Sequence, residues 1–191
     1  LTAACNYACN YCVPDGKRLM KAKYELPATE MLKAVTLLQQ AAGIDKIRIT
    51  GGEPLVTPKF DDFLLGVMRL PLKDVSLTTN GQLLLKKRDV IKASGITRIN
   101  VSLDTLNPIK FKQIARSGDL ETVLAGIDSM LDMGLRVKIN MVPLRNQNIG
   151  EVLPLLDYCL ERGIELRFIE LMRMGHLLTG NGFQTDFLSM E

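Results

Sequence analysis

A chain of 191 residues, 47% hydrophobic by count, carries enough apolar material for one sizeable core and has no need of a second domain. Its 24 basic and 21 acidic residues leave a formal charge of only +3, spread along the whole length, which excludes the basic footprint of a nucleic-acid binder. No apolar run approaches the roughly 20 residues of a membrane span and no signal-peptide pattern is present, so no membrane partner and a cytoplasmic location are expected.

In chain order, a short extended stub at 1–4 leads into a cysteine-rich segment at 5–12. Residues 27–42 then place Met31, Leu32, Val35, Leu38 and Ala42 at helical spacing up to Gly43, which predicts a first helix. A β-rich run at 44–50, with Ile47 and Ile49 on one face, ends at Gly51-Gly52. The unit repeats as a helix at 60–69, a strand at 75–79, a helix at 83–93 and a strand at 96–103. Helices at 109–115 and 121–133, a strand at 136–142, a helix at 151–162 and a strand at 165–170 follow.

Counting the stub, this predicts an α/β fold with six parallel strands alternating with helices, a partial (β/α)6 barrel. A flat, doubly wound sheet satisfies the same alternation. The barrel reading is favoured because the unusual residues all fall at or just past strand ends, the rim where barrel-like folds build sites. We expect one domain over 1–191, truncated at both ends, because the chain opens on Leu1 and closes on what reads as a helix start at Leu188-Ser189-Met190-Glu191.

Cys5-x3-Cys9-x2-Cys12 puts three thiolates on one short loop, enough to wrap a corner of a [4Fe-4S] cluster and leave one iron without a protein ligand. Thiolates also suit zinc, so the rival reading is a structural zinc completed by Cys159 or His176. Structural zinc takes four closely paired ligands, and neither distant residue has a paired spacing, which favours the cluster. Otherwise Cys159 reads as a small core hydrophobe on its helix, and His176 as structural.

The loop from Cys5 to Cys12 resembles that of the radical S-adenosylmethionine (SAM) superfamily, and in particular the GTP 3′,8-cyclases of molybdenum-cofactor biosynthesis. The resemblance extends to Ile47-Arg48-Ile49-Thr50-Gly51-Gly52-Glu53-Pro54, Thr78-Thr79-Asn80-Gly81, Val101-Ser102-Leu103-Asp104, Lys138-Ile139-Asn140 and Arg167-Phe168-Ile169-Glu170-Leu171-Met172. It implies that Cys5, Cys9 and Cys12 bind the cluster at which SAM is reductively cleaved. It also implies that Tyr11, Gly52, Glu53, Ser102 and Met172 contact SAM, and that Arg48, Thr79 and Lys138 contact GTP.

Read without the resemblance, each of these residues has an ordinary role. The glycines permit positive φ or close backbone approach, Ser102 caps its strand, Met172 packs, and the cations snorkel. The resemblance further implies conversion of GTP to 3′,8-cyclo-7,8-dihydro-GTP by radical hydrogen abstraction, a flavodoxin-like electron donor, and compatibility with a homodimer.

Three features depart from the family. No cysteine group matches its second [4Fe-4S] cluster, which is expected only in a full-length chain; Ala3 and Ala4 stand where an Arg precedes the first cysteine; and Arg173 replaces a usual Pro. A superfamily paralogue acting on a peptide or another nucleotide, and a non-catalytic metal module, are the alternatives.

Overall fold

The computed structural model describes residues 1–13, 24–173, 175–178 and 182–189. The end at Met190-Glu191 and the side chain of His176 lie outside the described residues. The elements in order are α1 (Ala28–Ala42), β1 (Lys46–Ile49), α2 (Phe60–Val67), β2 (Asp74–Thr79), α3 (Arg88–Ser94) and β3 (Arg98–Ser102). They continue with α4 (Pro108–Ala115), α5 (Leu120–Asp132), β4 (Arg136–Met141), α6 (Val152–Glu161), β5 (Glu165–Phe168) and a short α7 (Gly182–Asp186).

All strand pairings are parallel and the spatial order is β1-β2-β3-β4-β5. An order that never reverses winds the chain in one direction, the topology of an open barrel; a doubly wound sheet would reverse at a switch point.

Register explains which face is buried. It aligns Ile49 with Leu77, Leu77 with Ile99, Ile99 with Val137 and Val101 with Ile139. These rows pack in one cluster with Phe60, Leu64, Ile91, Ile127, Met130 and Leu155 from the helices. Each such side chain contributes about 1.5–3 kcal/mol on burial. Side chains alternate along a strand, so the opposite, concave face carries Arg48 opposite Ser76, then Thr78, Asn100 and Lys138 in one row and Ser102, Asn140 and Arg167 in the next.

Two expectations change. The stub at 1–4 is not a sixth strand. It lies beyond the end of β1, where the Leu1 amino group donates to the Thr50 carbonyl (2.6 Å), Gly52 N–H to Thr2 O (2.6 Å) and Glu53 N–H to Ala4 O (2.8 Å). The described sheet therefore has five strands and is not closed. The helix expected from 83 starts at Arg88, because tight turns after Gly81 first sink Leu84 into the core.

Helix α4 begins as its sequence dictates. The Asn107 side chain accepts from the N–H groups of Ile109 and Lys110, and Pro108 occupies the first turn, where an N–H would have no partner. Its other end matters for the site.

Candidate active site

The last carbonyls of a helix lack intrahelical partners. In α4 two of them are taken by the cysteine loop: Ala8 N–H donates to Ala115 O (3.1 Å) and Asn10 N–H to Ile114 O (3.0 Å). The loop then closes on itself, with the amides of Cys12 and Val13 both donating to Cys9 O at 2.9 Å. Its first half is held by Asn80, whose side-chain amide donates to Asn6 Oδ1 (2.8 Å), and by buried Tyr7, whose hydroxyl donates to Gln82 Oε1 (2.8 Å).

Cys5, Cys9 and Cys12 all line one open cavity of about 140 Å³ at the C-terminal rim of the sheet, together with Gly52, Glu53 and Ser102. Burial pushes all three thiols up, and each stands close enough to another to raise it further or be raised by it. Bound metal reverses that balance and takes them as thiolates.

Glu53 is 1% exposed, the most enclosed carboxylate of the rim. Burial raises its pKa, against hydrogen bonds from Asn80 N–H (2.7 Å), Leu55 N–H (3.0 Å) and the Thr79 hydroxyl (2.8 Å). An ionised carboxylate offers about four acceptor positions, so three internal donors leave room for one more from the cavity.

The glycines before it do a different job from the one expected. Neither Gly51 nor Gly52 has positive φ among the described residues. A Cβ on Gly51 would run into the Thr2 backbone, and one on Gly52 into the carbonyls of Ala3 and Ala4. Their smallness admits the segment that leads into Cys5.

The other expected residues separate. Tyr11 and Ser102 are in the cavity wall. Thr79 also borders the cavity but is buried, and its hydroxyl is used by Glu53 and by Gly81 N–H (3.1 Å), so it supports the Glu53 carboxylate. Arg48 and Lys138 are on the concave face, where Lys138 Nζ pairs with Glu165 (2.6 Å). Met172 stands 62% exposed past β5, outside the cavity wall.

Sequence reasoning missed Asn80, Arg167 and Asp104. Arg167 shares Glu165 with Lys138 (2.7 Å). Asp104 accepts from the Tyr11 hydroxyl (2.8 Å) and Val142 N–H (2.9 Å), and burial moves its carboxyl up to about 6. All three stand in segments that carry the resemblance, at or near strand ends, but nothing in the residue types marks them. The amide oxygens of Asn100 and Asn140, on the concave face, are buried without a protein partner.

A singly wound parallel sheet with three thiols and a buried carboxylate at its C-terminal rim defines an enzyme that holds a metal cluster beside a small organic cofactor. The chain belongs to the radical SAM superfamily, whose family model matches residues 1–159. It is 42% identical over 179 residues to a GTP 3′,8-cyclase of Sulfurovum sp. (strain NBC37-1), covering 93% of this chain and 55% of that protein. It is 37% identical over 179 residues to GTP 3′,8-cyclase 1 of Pseudomonas aeruginosa, covering 93% and 54%.

The chain thus spans about half the length of these curated relatives. Streptococcus suis SuiB bound to S-adenosylmethionine shares the fold, with a TM-score of 0.79 at 19% identity, covering 100% of this chain and 42% of SuiB. So does anSMEcpe with bound AdoMet, with a TM-score of 0.67 at 21% identity, covering 90% and 50%.

Membership brings a [4Fe-4S] cluster and SAM as cofactors. The residues present fit them. The donor set is soft thiolate, and the three thiols share one cavity wall. Among the described residues no three His, Cys, Asp or Glu converge on a single point as one ion requires, whereas thiolates of a cluster grip separate irons. Among the described residues a zinc completed by Cys159 is not built, because Cys159 packs in the core on α6 and joins no group of metal-ligating side chains.

Proposed function

We propose that this chain is the radical core of a GTP 3′,8-cyclase, converting GTP to 3′,8-cyclo-7,8-dihydro-GTP in the first step of molybdenum-cofactor biosynthesis. The observation that supports it most is the gathering of three thiols, Glu53 and Ser102 in one cavity wall above a concave face bearing Arg48, Lys138 and Arg167. The likeness to named cyclases supports the choice of substrate.

In this reading Cys5, Cys9 and Cys12 would hold the cluster and leave one iron without a protein ligand, available to SAM. When bound, the two cofactors supply the reducing electron and the hydrogen-abstracting radical chemistry that joins C3′ of GTP to C8 of guanine. Glu53 accepts a hydrogen bond from the SAM amino group at its remaining acceptor position, and Gly52 lies against the ligand. Ser102 and Tyr11 border the nucleoside, and exposed Met172 is assigned to adenine on resemblance alone.

Arg48 and Lys138, joined by Arg167, neutralise phosphate; Thr79 acts by holding Glu53. Among the described residues no helix is long and apolar enough to cross a membrane. A cytoplasmic setting, a flavodoxin-like electron donor and a homodimer belong to the same proposal, as does a second cluster supplied only by a longer chain.

The test is turnover of the anaerobically reconstituted chain with dithionite and SAM, with and without GTP. GTP-dependent 5′-deoxyadenosine and a cyclised nucleotide by mass spectrometry support the proposal. Equal 5′-deoxyadenosine in both cases, with GTP unchanged, would count against GTP as the substrate of this chain.

A further inference from the structure

We infer that Asp104 is the positioning residue that sets the cysteine loop against the strand ends facing SAM, acting through the phenol of Tyr11. The inference rests on the cofactor reading above and concerns a residue that reading does not use.

Tyr11 lies between Cys9 and Cys12, and its ring forms part of the cavity wall. Its hydroxyl donates to Asp104 Oδ2 at 2.8 Å across a sequence separation of 93 residues. The other carboxylate oxygen accepts from Val142 N–H at 2.9 Å, just past β4. The Asp104 carbonyl accepts from Asn148 Nδ2 (2.9 Å), which also donates to Val142 O (3.0 Å). One residue, two positions beyond Ser102, therefore ties the cluster loop to the ends of β3 and β4.

An O–H to carboxylate bond is short and strong, which makes it a stiff strut. A buried carboxylate beside the thiols of Cys9 and Cys12 is otherwise an electrostatic cost, and polar groups kept at such a cost are best attested where they fix register. Without this bond the far end of the loop is held by the Cys9 turn, by the Asn10 N–H on α4, by Asn10 Nδ2 donating to Gln147 Oε1 (2.6 Å) and by Arg116 donating to Val13 O (3.2 Å). Those contacts leave the Tyr11 ring, among the described residues, with only apolar packing against the cluster of Leu144, Leu171 and Leu177, which does not fix the direction of its hydroxyl.

The test measures SAM binding by equilibrium dialysis to the cluster-reconstituted chain, with iron content as a second readout. Asp104→Ala and Tyr11→Phe are each expected to weaken SAM binding roughly tenfold with iron per chain unchanged, and the double variant no further than Asp104→Ala alone. Asp104→Asn is expected to stay within about threefold of wild type, because an amide can accept from Val142 N–H and donate to the phenol oxygen.

Additive losses in the double variant, or wild-type affinity in both single variants, would overturn the inference. If circular dichroism shows Asp104→Ala unfolded, the comparison passes to Tyr11→Phe made in the wild-type and Asp104→Asn chains. A similar loss in both supports the strut and no loss in either overturns it. A wild-type chain that binds no SAM would instead overturn the cofactor reading on which the inference stands.

Discussion

The hydroxyl of Thr79 donates to Glu53 Oε1 at 2.8 Å, so a residue at the end of β2 holds the carboxylate at the end of β1 in place. Thr79→Val keeps the shape and removes the donor. It is expected to cost about 1–2 kcal/mol in stability. It should weaken SAM binding and leave GTP binding unchanged, whereas Thr79→Ser should retain both. Denaturant unfolding and paired binding titrations check this. A selective loss of GTP affinity would return Thr79 to the role the sequence suggested.

Gly52→Ala has no space, because the new methyl meets backbone carbonyls, which cannot rotate away as a side chain can. The expected cost is about 1–3 kcal/mol together with reduced iron incorporation, since the displaced segment leads directly into Cys5. Gly43→Ala is the control: its Cβ meets nothing within 4 Å, yet its φ is +63°. It should cost about 1 kcal/mol and leave iron content intact. Iron assay and urea unfolding of both variants decide between a seating role and a general backbone effect.

The cysteine spacing, the alternation of elements and the rim location were legible because they depend on near neighbours in the chain. The partnerships were not. Tyr11 and Asp104 are 93 residues apart, Glu53 and Thr79 are 26 apart, and neither pair shares an element. The Gly51-Gly52 pair was legible as a close approach, but what approaches is the Thr2–Ala4 backbone, which only the folded chain reveals. The same segment was mistaken for a strand because its extended pattern says nothing of where β1 ends. Lys138 was legible as a cation on a strand, whereas its sharing of Glu165 with Arg167 needs the β4–β5 register.

Glu151 accepts from Lys110 Nζ (2.6 Å) and from the Thr105 hydroxyl (2.7 Å). Burial alone would raise its pKa, but those bonds outweigh burial and hold the carboxyl below its ordinary value. A depressed folded pKa gives stability that is present above the unfolded value and lost as pH falls through the folded one. Moving from about pH 6 to below about pH 4 should therefore destabilise the wild type more than Glu151→Gln. Urea unfolding at both pH values checks this, and equal losses would contradict it.

On the concave face, Lys138→Ala and Arg167→Ala are each expected to weaken GTP binding roughly tenfold, with the wild-type affinity falling as salt rises. Arg98→Ala is the comparison, because Arg98 opens β3 at the end of the strand away from the rim, where its guanidinium pairs with Asp74 (2.6 Å). That change should alter binding less than about twofold. Equal effects of all three, measured by calorimetric titration at low and high salt, would mean that net charge governs binding.

The central claim is that Cys5, Cys9 and Cys12 hold a cluster with one iron open to SAM. Its most direct measurement is the electron paramagnetic resonance spectrum of the anaerobically reconstituted, reduced chain, with and without SAM, beside Cys9→Ala. We predict a reduced-cluster signal that changes when SAM is added and is absent in the variant. Stoichiometric zinc with no reducible cluster, or a cluster signal indifferent to SAM, would contradict it.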